Sequence, residues 1–472
     1  GLVQAVPYLR QLMEDERTPH EVKSVAQAAL DAIGQRAATV TLPASAAEAY
    51  FGLAQDYYND QASLAADVRL DTANVWYWRD DMLQNVPVPT PIFNEIMCLR
   101  CCEEALRLKP DYKEPLALWL AANFRRAAQV PEDRTDPTRP ENNPPEAYFA
   151  QSAGAEYCLM ALARAVDTGD PAVALGTIEA LRKTAGPASL VADAGGRLPL
   201  AEALSFADRM VRIRAALTLG RAGPTQSFLN YQNLMPVLSE ALLLHGGARN
   251  ALVVDPDTDS LNVIAGALRA DGFEVLTDAG LFSGLQKVRE QLPGIDVIFI
   301  AADIRDPDLV AGLTALRSEF RFASTPVVLI TKPGGGNVVR DLLRSDHRLA
   351  AVGQNPSPED VTTAVARVSH AVGAQAITPE VGAALAQETA EVLRLLAVTN
   401  NPLFNVADAE TALLGALQSK DVTLRLTVAE VLGYLGSGKA QEAVARIALD
   451  TAEAEEDRKS KRLNSSHRIR SR

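Results

Sequence analysis

Aromatic residues make up only 5% of this chain of 472 residues, so large flat side chains cannot fill its cores. The four cysteines are too few for a disulfide framework. Three of them crowd at Cys98, Cys101 and Cys102, which suits a reducing compartment and sets a cytoplasmic expectation. No apolar run approaches the roughly 18–20 residues that crossing a bilayer requires, so no membrane-embedded role is expected. The sequence also lacks a Ser/His/Asp or Cys/His set, a paired-carboxylate motif and a glycine-rich dinucleotide fingerprint. Nothing in it points to an enzyme.

What is present is Ala, Leu and Val. The apolar share of 47% is ample for burial, and its small residues suit helices packed closely on helices. The length implies about three domains. Gly1 opens inside an amphipathic pattern (Leu2, Val3, Val6, Leu9), which reads as a truncated start.

The other end differs in kind. Residues 457–472 resemble the conceptual translation of a common sequencing adapter, departing from it at Lys461, where Thr is usual. They are set aside as an artefact. Without their seven Lys/Arg and single Asp the net charge moves from −13 to −19. So acidic a chain favours a protein partner with a basic surface and argues against nucleic acid.

Internal repetition is the strongest signal. After Asp208 come Val211, Arg212, Ala215, Ala216, Leu219 and Gly220. After Asp421 the same six spacings hold Leu424, Arg425, Val428, Ala429, Leu432 and Gly433. Asp170 starts a partial copy with Val173, Thr177, Ile178 and Leu181, and a looser one lies around Val22–Gly34. The Asp suits a helix N-cap, the spacing draws one apolar stripe, and the Gly is expected to end the helix in the left-handed conformation. An amphipathic helix is expected before each copy, over 198–205 and 412–419. Helix, turn, capped helix and Gly stop resemble repeats of the HEAT family. Residues 46–125 read as helical too, and Ala105-Leu-Arg-Leu-Lys-Pro110-Asp resembles the turn of tetratricopeptide helices. Between Val130 and Pro145 five prolines exclude a helix.

From Arg249 the period changes. Five short runs rich in branched residues begin at Ala251, Phe273, Asp296, Pro326 and Leu349, and helical stretches separate them. This predicts a doubly wound parallel sheet. The fold expected is therefore mainly α: an α-solenoid of HEAT-like and tetratricopeptide-like helix pairs with an inserted flavodoxin-like α/β domain of five parallel strands. The divisions expected are 1–42 (partial HEAT-like), 43–128 (tetratricopeptide-like), 129–148 (Pro-rich linker), 149–247 (HEAT-like), 248–375 (α/β), 376–456 (HEAT-like) and the tail.

The α/β segment resembles the receiver domain of two-component response regulators. The resemblance implies acids after the first strand for Mg²⁺, a phospho-accepting Asp ending the third, a hydroxyl ending the fourth and a Lys ending the fifth. Here those positions fall on Asp255 and Pro256, Ala301, Thr331 and Gln354. One acid and the hydroxyl remain, while acceptor and Lys are missing. The expectation is a pseudo-receiver that serves as a docking module within a non-catalytic protein–protein interaction scaffold, with no cofactor. The alternative is a phosphorelay response regulator with a helical-repeat output, using Asp303 and Mg²⁺. Weak metal or phosphate binding by the acidic edge of Asp255, Asp257 and Asp303 stands beside it as a separate alternative.

Three smaller motifs complete the reading. Thr331–Asn337 has the context of a phosphate loop but lacks the Gly-Lys-Ser/Thr ending, so it reads as a flexible loop. Cys98-Leu-Arg-Cys101-Cys102 has no second ligand pair for zinc and reads as core. Trp76-Tyr-Trp78 either packs a solenoid end or forms a platform for a peptide or sugar.

Overall fold

The computed structural model describes residues 3–36, 42–140, 142–190, 197–246, 249–292, 294–319, 321–323, 325–332, 337–346, 348–371 and 377–449. The glycines of the Thr331–Asn337 loop and the tail from 457 lie outside these residues. The chain forms two compact units, Gly1–Leu200 and Ala201–Arg472.

The first unit is a stack of helices with one β-hairpin. In chain order it holds α1 (Val6–Glu14), α2 (His20–Arg36), α3 (Ala46–Tyr58), β1 (Thr72–Arg79), β2 (Met82–Pro89), α4 (Phe93–Leu108), α5 (Lys113–Gln129), α6 (Glu146–Ala153), α7 (Ala155–Thr168), α8 (Pro171–Thr184) and α9 (Pro187–Leu190). Helix α3 packs on α4, α4 on α5, and α5 on α7 and α8. Ser45 caps α3 through a full capping box with Glu48.

The hairpin corrects the expectation of unbroken helix over 46–125. Val75 is buried while Trp76 and Trp78 are exposed, an alternation of period two. Asp80 and Asp81 both take positive φ, at 52° and 57°, which closes a two-residue hairpin turn. Pro87 and Pro89 then forbid a helix in the return strand. The Pro-rich segment 129–148 lies inside this unit and is tied into it: Arg126 pairs with Asp136, Arg134 with Asp71 and Arg139 with Glu146.

The short α10 (Pro199–Glu202) spans the boundary in the chain, and the second unit continues with α11 (Arg209–Ala222) and α12 (Leu234–Leu242). A sheet region follows: β3 (Arg249–Val254), α13 (Thr258–Ala270), β4 (Phe273–Asp278), α14 (Leu281–Gln291), β5 (Val297–Ala301), α15 (Leu309–Ser318), β6 (Val327–Thr331), α16 (Asn337–Ser345), β7 (Leu349–Gly353) and α17 (Pro358–Ala371). Then come α18 (Pro379–Val398), α19 (Glu410–Ala416), α20 (Val422–Leu435) and α21 (Gly438–Leu449).

The five strands are parallel in the order β4-β3-β5-β6-β7. Strand residues alternate between two cores. Leu252, Val254, Ile298, Ile300 and Leu329 meet α14 and α15, whereas Ala251, Val253, Phe299 and Ile330 meet α13 and α17. Apolar runs without polar alternation are what a sheet covered on both faces requires.

The sheet region is inserted in the physical sense. Helix α18, which follows it, returns to pack on α11 and α12, which precede it. Glu388 pairs with Arg214 and Arg221 at 3.2 and 2.8 Å, and Asn401 Nδ2 donates to Pro224 O at 3.1 Å.

Caps at the repeated positions are visible. The carboxylates of Asp170, Asp208 and Asp421 accept from the backbone N–H of Val173, Val211 and Leu424 at 3.2, 3.0 and 3.3 Å. The repeated Arg has one job in both copies: Arg212 donates to Phe206 O and Ala207 O, and Arg425 to Ser419 O. Each guanidinium satisfies carbonyls of the turn leading into its helix. The repeated Gly does a different job from the one expected. Helices α11 and α20 end three residues later, at Gly223 and Gly436 with φ of 58° and 69°. Gly220 sits inside α11, where a Cβ would lie 2.5 Å from Val392 Cγ1 of α18. It is small so that two helices can touch. The elements before the capped helices are also shorter than expected, a single turn at α10 with a 3-10 turn after it, and seven residues at α19.

Candidate functional site

The carboxyl ends of the parallel strands are where an open α/β sheet gathers loops and polar side chains. Asp255 follows β3 and is 4% exposed. Its Oδ1 accepts from Asp257 N at 2.8 Å, closing a turn over Pro256, and its own N–H donates to Asp278 O at 3.1 Å. Asp257 is the N-cap of α13, accepting from Asp259 N and Ser260 N at 3.1 and 3.3 Å. Its other oxygen accepts from Gln354 Nε2 at 2.7 Å. Gln354 thus fastens the end of β7 to the start of α13.

Ala301, at the end of β5, is 2% exposed and belongs to the apolar core beneath the strand ends. Thr331 ends β6, and its hydroxyl donates to Val352 O on the neighbouring strand at 2.9 Å. Asp303 lies two residues beyond β5, where Lys332 Nζ donates to its Oδ2 at 2.6 Å. That bond holds the Asp303 carboxyl below the usual carboxylate range. The Lys332 ammonium is pushed up by the same bond, helped by the charges of Asp257 and Asp255.

The structure therefore brings Asp255, Asp257, Asp303, Thr331 and Gln354 to one edge, and adds Lys332. Sequence reasoning missed that lysine because it stands one residue past the fourth strand, where the resemblance has no cation. The only available signal was its place directly after a strand. A cleft of about 430 Å³ opens beside it, lined by Ala302, Asp303, Asp308, Lys332 and Val338. Among the described residues no three His, Cys, Asp or Glu side chains gather closely enough to hold a metal ion.

The cysteine cluster is core. Cys98, Cys101 and Cys102 are free thiols at 0, 4 and 0% exposure, and burial pushes Cys101 up to about 12. Such thiols are poor nucleophiles and poor metal ligands.

Trp76 and Trp78, in contrast, are 50 and 70% exposed on the outer face of the hairpin, so they pack no solenoid end. Their register partners Asn85 and Leu83 share that face. Tyr77 points the other way, with the guanidinium groups of Arg79 and Arg100 at 4.5 and 4.8 Å from its ring centre. At the root of the hairpin lies a cleft of about 890 Å³, lined among others by Asp67, Val68, Leu70, Asp71, Asp133 and Arg134. Nothing in the sequence marked it, because its walls come from segments far apart in the chain.

Among the described residues no helix is long and apolar enough to cross a membrane. No protein-family model matches the chain, and no curated protein matches it.

Proposed function

We propose that this chain is a non-catalytic protein–protein interaction scaffold: helical repeats of the HEAT type carry an inserted receiver-like domain that docks a partner rather than relaying phosphate. The observation that carries the reading is Ala301, an apolar side chain of the core where a receiver would hold its acceptor carboxylate. Three further features support it. The Thr331 hydroxyl is spent on Val352 O, Asp257 is spent on capping α13, and an uncharged Gln354 stands where a receiver would have Lys. Direct packing of α18 on α11 and α12 supports a helical array that runs on across the insertion. A net charge of −13 favours a partner with a basic face and disfavours a phosphate backbone.

The pair Asp303–Lys332 favours a second reading, a response regulator working in a displaced register, since it sets a carboxylate and an ammonium 2.6 Å apart at the sheet edge. One experiment separates the two. The intact chain is treated with acetyl phosphate and Mg²⁺, and its mass is read before and after. The scaffold reading expects no phosphoryl adduct. An adduct that disappears in Asp303→Asn would establish the phosphorelay instead.

A further inference from the structure

At the amino ends of its strands the sheet region touches α11 and α12. The segment between α14 and β5 is laced to the start of β3. Asn250 donates its N–H to Asp296 Oδ2 at 2.7 Å and its Nδ2 to Gly294 O at 3.0 Å, and Asp296 N donates to Asn250 O at 2.9 Å. Against that laced segment lies Arg209, the first residue of α11. Its Nε stands 2.7 Å from Glu240 Oε1 on α12, and its Nη1 stands 3.5 Å from Asp296 Oδ1. Gly294 supplies the room. A Cβ there would lie 2.5 Å from Arg209 Nη2 and 2.6 Å from Glu240 Oε1. One guanidinium thus joins an acid of the flanking helices to an acid of the sheet region, over a glycine that lets them meet.

The two acids are held differently. Glu240 is buried, where charges attract strongly, and has Arg212 4.0 Å away as well. Asp296 is more exposed, and its longer contact is one that water and salt weaken. Such a joint gives little net stability, because desolvating the ions costs about what their attraction returns. What it gives is direction. A guanidinium confined between carboxylates of different elements favours one relative position of those elements.

We infer that Arg209 is an orientation lock, which holds the inserted sheet region at one fixed angle to the flanking helices. The lock grips the amino ends of β3 and β5. The loops that carry Asp255, Asp303 and Lys332 lie at the other ends of the strands, one strand length or about 16 Å away. They are therefore kept clear of the joint and at a constant position relative to α11, α12 and α18. The inference concerns geometry alone and stands whether or not that edge docks a partner.

The test uses the full chain with nitroxide labels at Val310→Cys on α15 and Val398→Cys on α18, both exposed positions. The four native cysteines are buried in the first unit and do not compete for label. Double electron–electron resonance should give one narrow distance. Gly294→Ala drives a methyl into the ion pair without changing any charge. Arg209→Met removes the guanidinium and still leaves Glu240 beside Arg212. Each should replace the narrow distance by a broad distribution while far-ultraviolet circular dichroism stays unchanged. Arg221→Met is the control: it deletes a bond from α11 to Glu388 of α18, away from the joint, and should keep the narrow distance. Should one of the two joint variants fail to fold, the other decides. Three results would overturn the inference. They are a broad distribution in the labelled parent, a narrow one retained in the folded joint variants, and equal broadening in Arg221→Met, which would make general loosening of α11 the cause.

Discussion

Glu95 makes the stability of the first unit depend on pH in a direction opposite to that of most carboxylates. It lies in the first turn of α4 at 1% exposure. The nearby guanidinium of Arg125 is committed elsewhere, to Asp170 at 2.7 Å and to Tyr58 O at 2.6 Å. The Gln129 amide nitrogen lies 3.2 Å from both carboxylate oxygens in the orientation that satisfies that side chain, and the residue's own backbone also bonds the carboxylate, which opposes the shift without cancelling it. Burial therefore dominates and lifts Glu95 from the ordinary 4.5 to about 7. Because the folded pKa exceeds the unfolded one, the folded state holds the proton more tightly. Stability is then full below about 4.5, falls as pH rises toward 7, and is flat above. At 1.36 kcal/mol per tenfold in proton affinity, the loss is about 3 kcal/mol.

Glu95→Gln should remove that loss. The variant should match the parent near pH 4.5 and exceed it by about 3 kcal/mol at pH 8. The readout is built in, because all three tryptophans of the chain, Trp76, Trp78 and Trp119, lie in the first unit. Trp119 is the useful one: half-buried, it donates to Glu103 at 3.1 Å and meets Phe149 edge-on. Urea unfolding followed by its fluorescence should give a midpoint shift of roughly 1–2 M at pH 8 for an m-value of about 2 kcal/mol/M. Other groups titrate alike in both proteins, so the difference isolates Glu95. A shift of equal size at pH 5 and pH 8 would refute burial as the cause.

Three further predictions concern the second unit. Asp208→Ala and Asp421→Ala each remove an N-cap and should cost about 1 kcal/mol, read as faster hydrogen exchange in the first turns of α11 and α20. Arg212→Met should cost about 3 kcal/mol, since it removes the guanidinium's bond to the carbonyl of the buried Phe206 and takes a largely buried cation from beside Glu240; the less buried Arg425→Met should cost about 1. Thermal denaturation of the two variants, followed by circular dichroism, should rank them in that order, and equal shifts would count against the argument. Gly220→Ala forces a methyl into Val392 and should cost about 1–3 kcal/mol, most of it recovered in Gly220→Ala/Val392→Ala. Additive losses in that double variant would mean that the contact between α11 and α18 is not the reason for the glycine.

The sheet region was the most legible part of the sequence. Its strands are short runs of branched residues covered on both faces, and each begins within two residues of the expected position. The N-caps were legible as well, because a cap is a local event between one side chain and N–H groups two or three residues on. The hairpin was not. Asp80-Asp81 is a poor advertisement for a turn usually made by Asn-Gly, and the helical patterns on either side outweighed eight residues of alternation. Gly220 was misread for a related reason. A glycine near a helix end signals a cap in sequence, and only the approach of α18, some 170 residues later, reveals that its lack of a side chain serves a contact.

The same distinction explains the sheet edge. Asp255, Ala301, Thr331 and Gln354 were placed by applying the receiver resemblance to the strand ends, which the apolar runs locate. Lys332 was invisible to that reasoning, because what matters about it is where a long side chain reaches. Its bond to Asp303 lies two residues beyond the register pair Ala301–Ile330, so the backbone sets the two residues side by side, but that they bond depends on how far the lysine side chain extends. Side chains fixed by local backbone geometry can thus be assigned from sequence, whereas pairs made by reach between loops need coordinates. Asp257 and Asp303 differ in this respect: the first is held by its own helix start as well as by Gln354, the second by a lysine from another strand. Loss of Lys332 should therefore free Asp303 and leave Asp257 where it is.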